Sequence, residues 1–456
     1  MASHEKFHYQ RLAQLREQIA ALGADIALTD DLRPLLAPVR VGGLTAPNAM
    51  AVLPMEGCDS QPDGSPSELV TRRYLRFAGG GAGLLWWEAC AVTEEGRAND
   101  LQMMLTNDNL PAFAVLLQQA NAEAARRNGE AHRPVNVLQL THSGRYSRPH
   151  GHKMAPLVPQ HDPILDPRVG LSPDAPVVTD AYLDDLIGKY VTSAKLAQAA
   201  GFDGVDLKSC HRYLLSELLA SHTRPGKYGG SFENRTRFLR DVIDAVRAEV
   251  GRDFILACRF NVFDAHPYPY GFGEDKEDMW TFDPEEPMAL VRLLRDKGME
   301  LLSNSAGNPY YIYPQVTRPF DVSSMGIPVP DEHPLESVAR LFAFTRRIQN
   351  EVKDVPVVGN GYTWLRQFFP NAGAANLASG SCSFVGLGRS SFAYPDAPRD
   401  IILNGAMDPA KCCTTCSKCT QIMRDHGKSG CVVRDAKVYA PLYKQYREEA
   451  EARAAQ

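Results

Sequence analysis

Eight short apolar segments, bounded by turn residues, recur at 49–55, 83–89, 135–140, 204–208, 254–260, 301–305, 355–359 and 383–388. Near-continuous apolar runs of this length suit strands buried on both faces. Helical patterns lie between most of them, for example over 182–200 and 234–250. Eight alternations of strand and helix close into a parallel TIM (β/α)8 barrel. We assign 31–395 to this barrel. Residues 1–30 read as an N-terminal helical extension, with a helical apolar pattern over 4–23. A cysteine-rich segment follows at 396–436. A C-terminal helix or tail occupies 437–456, with 444–455 its helical part.

The chain has 456 residues and a net charge of 49 − 54 = −5. That balance excludes a generally basic nucleic-acid binder, and 44% apolar residues exclude most disordered chains. The first ten residues lack the apolar core of a secretory signal. The longest weakly polar run, 77–92, is broken by glycines and contains Glu88, so no membrane span is expected. The expectation is a soluble cytoplasmic protein.

Of the ten cysteines, five are scattered and five fall within 412–431. Cys413, Cys416 and Cys419 are spaced CxxCxxC, and Cys431 follows after a gap. Four thiolates suit zinc or an iron–sulfur cluster. Two CxxC pairs favour zinc, whereas a triplet with one remote cysteine favours [4Fe-4S]. Cys412 is an alternative first ligand.

In a barrel of this kind, chemistry sits at the C-terminal ends of the strands. The polar residues there are Glu56 and Cys58; Glu88 and Cys90; Gln139, His142 and Arg145; Lys208, His211 and Tyr213; Arg259; Asn304 and Asn308; Asn360; and Arg389. Glycine-rich turns after the last two segments let backbone N–H groups approach a phosphate. The alternative is that they only make tight turns. Arg389 adds a charged fork suited to phosphate oxygens. Arg259, inside an apolar strand, requires an anionic or strongly accepting partner.

Several motifs together carry a resemblance. They are Pro54-Met55, Glu88–Arg97 (EACAVTEEGR), Gln139–Arg145 (QLTHSGR), Gly201–Asp206 (GFDGVD), Tyr213–Leu215 (YLL), Tyr228–Arg235 (YGGSFENR) and Gly386–Arg389 (GLGR). The chain resembles the old yellow enzyme family of FMN-dependent oxidoreductases over roughly 33–436. The C-terminal cysteines resemble those of the iron–sulfur branch containing 2,4-dienoyl-CoA reductase and trimethylamine dehydrogenase.

The resemblance implies FMN across the top of the barrel. Pro54, Met55, Glu56 and Ala89 match positions lining the isoalloxazine. Gln139 matches the amide at the pyrimidine ring, and Arg259 the arginine at its N1–C2=O edge. Gly359, Asn360, Gly361, Gly388 and Arg389 match the phosphate site. Cys413, Cys416, Cys419 and Cys431 match the ligands of a [4Fe-4S] cluster. The implied activity is reduction of a C=C bond conjugated to a carbonyl or thioester. Tyr213, a phenol of raised acidity, donates the proton and His211 polarises the carbonyl. Lys208 replaces a usual histidine and stabilises an enolate or binds a carboxylate. The alternative is a dehydrogenase or demethylase that oxidises an amine and passes electrons out through the cluster.

No histidine follows the sixth segment, where dienoyl-CoA reductase has one, so Tyr310 or Tyr311 is expected to bound the pocket. The loops 147–178 and 263–280 are expected to overhang it. No GxGxxG turn occurs, so no built-in dinucleotide module is expected. Electrons are then expected from an external electron-transfer protein or subunit, or from NAD(P)H directly. The other partners expected are a small unsaturated substrate and copies of the chain in a homo-oligomer.

Overall fold

The computed structural model describes residues 4–311, 314–325 and 327–455. Eight parallel strands close a barrel. They are β1 (Met50–Val52), β2 (Leu84–Ala91), β3 (Val135–Thr141), β4 (Gly204–Leu207), β5 (Ile255–Phe263), β6 (Leu301–Ala306), β7 (Val357–Gly359) and β8 (Phe384–Leu387). Each meets the next in sequence, and β8 pairs with β1 to remove both edges. Every expected segment is a strand.

Helices ring the barrel, and their starts are written in the sequence. Ser67, Thr179 and Ser231 each accept a backbone N–H with the side-chain oxygen, capping helices Glu68–Gly79, Asp180–Ala199 and Phe232–Val250. Strand side chains alternate between two cores. Trp87 faces outward, stacked on Tyr74 at 3.7 Å between centroids. Trp86 faces the barrel interior, among Leu84, Val135, Ile255 and Leu301. A two-strand hairpin, Val39–Val41 and Leu44–Ala46, packs Val41 and Ala46 against these first strand residues. It therefore closes the N-terminal end of the barrel.

Two helices differ from expectation. The N-terminal helix spans only Leu12–Leu22. Before it the chain is non-helical, and Phe7 and Tyr9, two residues apart, both meet Trp364, at 5.3 and 6.4 Å. The apolar residues there follow a two-residue spacing, not a helical one. The last helix begins earlier, at Ala436, and spans Ala436–Ala454 with Pro441 inside it. No helix among the described residues is long and apolar enough to cross a membrane.

The cysteine-rich segment lies against the C-terminal face of the barrel. Asp435 receives Arg72 and Arg76 from the Glu68–Gly79 helix. Arg424 donates to the Pro309 carbonyl at 2.6 Å, and Ser429 N–H donates to the Gly57 carbonyl at 2.6 Å. The loops 147–178 and 263–280 do not line the cavity described below. They instead place Asp162, Asp166 and His266 in a buried charge network.

Candidate active site

The C-terminal strand ends enclose one large cavity. It is lined by Pro54, Met55 and Glu56 after β1, Gln139 of β3, and Lys208, His211 and Tyr213 after β4. Arg259 of β5, Asn360 and Gly361 after β7, and Gly388 and Arg389 after β8 complete that set. Two expected residues do not reach it. Ala89 is fully buried in the ladder opposite Gln139, next to an irregularity in β2. Gly359 ends β7, where an added Cβ would meet the Tyr362 hydroxyl at 3.2 Å.

The β4 loop is held in an unusual conformation. His211 and Arg212 both have positive φ, 65° and 59°. Consecutive non-glycine residues there are strained, and such strain persists only where surroundings impose it. His211 N–H donates to Asn261 Oδ1 at 3.1 Å, and the Arg212 guanidinium donates to Asp264 at 2.9 Å. His211 Nε2 lies 3.0 Å from Ser305 Oγ. Burial, then the charges of Arg259 and Lys208, push the His211 imidazole well below its usual range, so it is neutral at pH 7.

Lys208 is not a solvated strand-end lysine: its side chain is only 3% exposed, and Nζ donates to Glu56 Oε1 at 3.1 Å. That ammonium also lies 3.9 Å from the Tyr213 ring centroid. The expected raised acidity of Tyr213 is overturned. Burial and then the nearby Glu56 push its phenol well above 10, so it stays protonated.

Three guanidinium groups, Arg259, Arg318 and Arg389, face the cavity. The buried Nε of each lacks a hydrogen-bond partner, and none forms an ion pair among the described residues. The one carboxylate lining the cavity, Glu56, already holds Lys208. Burial and the neighbouring Arg389 and Arg424 push Arg318 well below its usual value. Arginine does not lose its proton in proteins, so the cluster calls for an anionic ligand. A Cβ at Gly388 would meet Met55 Sδ at 3.4 Å, and Gly361 has a φ of 94° that favours glycine. Bare backbone beside unpaired guanidinium groups fits a phosphate. Gln139 is held by a 2.6 Å bond from Nε2 to Asp206, which fixes its amide at the cavity. The residues present therefore fit FMN.

A second arginine group, Arg145 and Arg212, lies outside the cavity lining, where each cation has carboxylates. Arg145 meets Asp166 and Glu217, while Arg212 meets Asp264, Asp162 and Glu217. His266 Nε2 donates to Asp162 at 2.7 Å.

Cys413, Cys416, Cys419 and Cys431 line one small cavity together with Arg389 and Lys418. Cys419 also lines the large cavity. Cys412 does not share this site; it packs with Trp364 and Ile401 in another core, its thiol 3.5 Å from the Asp408 carbonyl. Among the described residues no three Cys, His, Asp or Glu side chains form a single-ion site.

Sequence reasoning missed Arg318, Arg424 and Asp206. Arg318 stands alone in a proline-bearing loop, with no motif to mark it. Asp206 sat inside a quoted motif, and a carboxylate in a buried strand was the available signal. Tyr310 lines the cavity, whereas Ile312 and Tyr313 lie outside the described residues.

Comparison with known proteins agrees with this architecture. The NADH:flavin oxidoreductase / NADH oxidase family model matches residues 34–279. The NADH oxidase of Thermoanaerobacter brockii is 26% identical over 386 residues, covering 83% of this chain and 52% of its own length. The chain thus spans about half of that relative. A 2-naphthoyl-CoA reductase solved with 2-naphthoyl-CoA has a TM-score of 0.70 at 20% identity, over 91% of this chain and 58% of its own. Histamine dehydrogenase from Rhizobium sp. 4-9 has a TM-score of 0.58 at 20% identity, over 81% of this chain and 48% of its own. These two share the fold. With the family model matching more than half its length, the chain belongs to the NADH:flavin oxidoreductase / NADH oxidase family, the old yellow enzyme family of FMN-dependent oxidoreductases.

Proposed function

We propose that the protein is an ene-reductase that reduces a C=C bond conjugated to a carbonyl or thioester. The observation that carries this reading is the convergence of neutral His211 and protonated Tyr213 on the cavity that holds Arg259. Arg259, Gln139, Gly361, Gly388 and Arg389 would hold FMN, which supplies a hydride donor. His211 donates a hydrogen bond to the substrate carbonyl and so withdraws electrons from the conjugated bond. Tyr213 then gives its proton to the α-carbon as the enolate collapses. A phenol that stays protonated at rest is ready to donate at neutral pH.

Amine oxidation is the competing reading, and Tyr146, Tyr213 and Tyr310 would form its cation cage. Tyr146 and Tyr310 stack at 4.0 Å. Against this, Lys208 already places a positive charge over the Tyr213 ring. A substrate cation there would be repelled, while a developing enolate would be favoured.

We assign Cys413, Cys416, Cys419 and Cys431 as ligands of a [4Fe-4S] cluster, which supplies one-electron transfer. Four thiols around one cavity, three of them in a CxxCxxC triplet and one remote, fit the ligand pattern of such a cluster. Electrons then enter through this segment from an external carrier. Iron and acid-labile sulfide should be lost in Cys413→Ser and retained in Cys412→Ser. Rapid stoichiometric bleaching of the flavin by NADH or NADPH in anaerobic stopped flow would instead show direct supply. The reductive chemistry is tested by reoxidation of the reduced enzyme with an enone: Tyr213→Phe should slow it roughly a hundredfold or more. An unchanged rate removes the ene-reductase reading.

A further inference from the structure

Tyr213 is 2% exposed, and among the described residues its hydroxyl has one hydrogen-bond partner, Tyr310 Oη at 2.7 Å. Tyr310 is 38% exposed and also lines the cavity, so of the two bonded residues it is the more open. Its position is fixed. The ring stacks on Tyr146 at 4.0 Å, and its N–H donates to Asn308 Oδ1 at 2.9 Å. Asn308 Nδ2 in turn donates to Tyr146 Oη at 2.7 Å.

At 2% exposure Tyr213 has little direct access to water once it has given up its proton. The alternatives in the cavity are engaged elsewhere. His211, its Nε2 3.0 Å from Ser305 Oγ, is assigned to the substrate carbonyl, and Lys208 is bonded to Glu56. We propose that Tyr310 is a proton relay that reloads Tyr213 from solvent after each turnover, while Lys208 balances the intervening phenolate. The inference rests on the reductive reading above. The step balances without electron transfer. The Tyr213 O–H bond breaks as the substrate α-C–H bond forms. The Tyr213 oxygen takes the Tyr310 proton, and Tyr310 takes one from water. The ammonium 3.9 Å from the Tyr213 centroid favours the anionic ring during that interval.

The test compares two rates on the same holoenzyme with 2-cyclohexenone. One is single-turnover flavin reoxidation; the other is dithionite-driven steady-state turnover. In Tyr310→Phe, the steady-state rate should fall roughly tenfold or more relative to that variant's own single-turnover rate. The solvent deuterium isotope effect on the steady state should rise above the wild-type value. Tyr310→His, which keeps a proton-carrying group, should recover much of the loss. A wild-type ratio of the two rates in Tyr310→Phe, with Tyr213→Phe slow, overturns the relay and leaves the reductive reading standing. Wild-type rates in Tyr213→Phe overturn both. Independently of turnover, the carbon-13 ζ resonance of Tyr213 in the oxidised holoenzyme should move in Tyr310→Phe. An unmoved resonance shows that the two hydroxyls do not communicate and ends the proposal.

Discussion

Two groups of arginines stand on the same side of this barrel under opposite electrostatic conditions. Arg145 and Arg212 are surrounded by Asp162, Asp166, Glu217 and Asp264. Arg259, Arg318 and Arg389 form no ion pair with a carboxylate among the described residues. The first group completes its ion pairs within the chain and so serves the fold. The second leaves its demand for an anion to a ligand. The presence of a counter-charge within the chain therefore separates a structural arginine from a binding one.

The largest expected effect tests the first group. Arg145→Met removes the cation that Asp166 and Glu217 share, leaving Asp166 only His161 and Glu217 only Arg212, and should destabilise the fold by about 3–5 kcal/mol. Denaturant unfolding of the holoprotein measures this, and a loss under about 1 kcal/mol would dissolve the contrast. Next, Arg259→Ala should leave the apo-fold intact and weaken FMN by about 1.5–3 kcal/mol, roughly ten- to a hundredfold in Kd, read by flavin fluorescence titration.

A smaller effect is pH-dependent. Asp162 lies buried, but His266 and Arg212 outweigh that burial and lower its carboxyl from 3.8 to about 2. Its folded-state value is depressed, so its contribution is fully present above 3.8 and is lost as pH falls toward about 2. Unfolding midpoints measured across that range should fall more steeply for the wild type than for Asp162→Asn. The smallest effect has the opposite sign. Arg318→Met removes an unpaired cation and should raise apo-protein stability by on the order of 1 kcal/mol. A clear loss in thermal unfolding would mean that Arg318 has a structural partner.

The barrel was legible because burial on both faces writes each strand as a local apolar run. Lys208, His211 and Tyr213 were legible because they follow one such run closely. The pairing of Lys208 with Glu56 was not: the two stand 152 positions apart, and only barrel closure brings them together. Closure also joins Tyr310 to Tyr213 across 97 positions. The acidity of Tyr213 was misread for a related reason. A tyrosine next to a histidine and a lysine suggests a cationic neighbourhood, but its folded surroundings are dry and include a carboxylate. The start of the first helix was misread because Phe7 and Tyr9 satisfy a helical apolar count while packing on Trp364 as alternate residues of an extended segment.

The hairpin that closes the N-terminal end makes the barrel a cup. Its large cavity lies at the rim, so organic reactants are expected to meet there. If a pyridine nucleotide reduces the flavin directly, it and the unsaturated substrate must occupy that rim in turn. Double-reciprocal plots would then run parallel, and each reactant in excess would inhibit by displacing the other. Electrons arriving through the cysteine segment would leave the rim to one reactant, and that mutual inhibition would vanish.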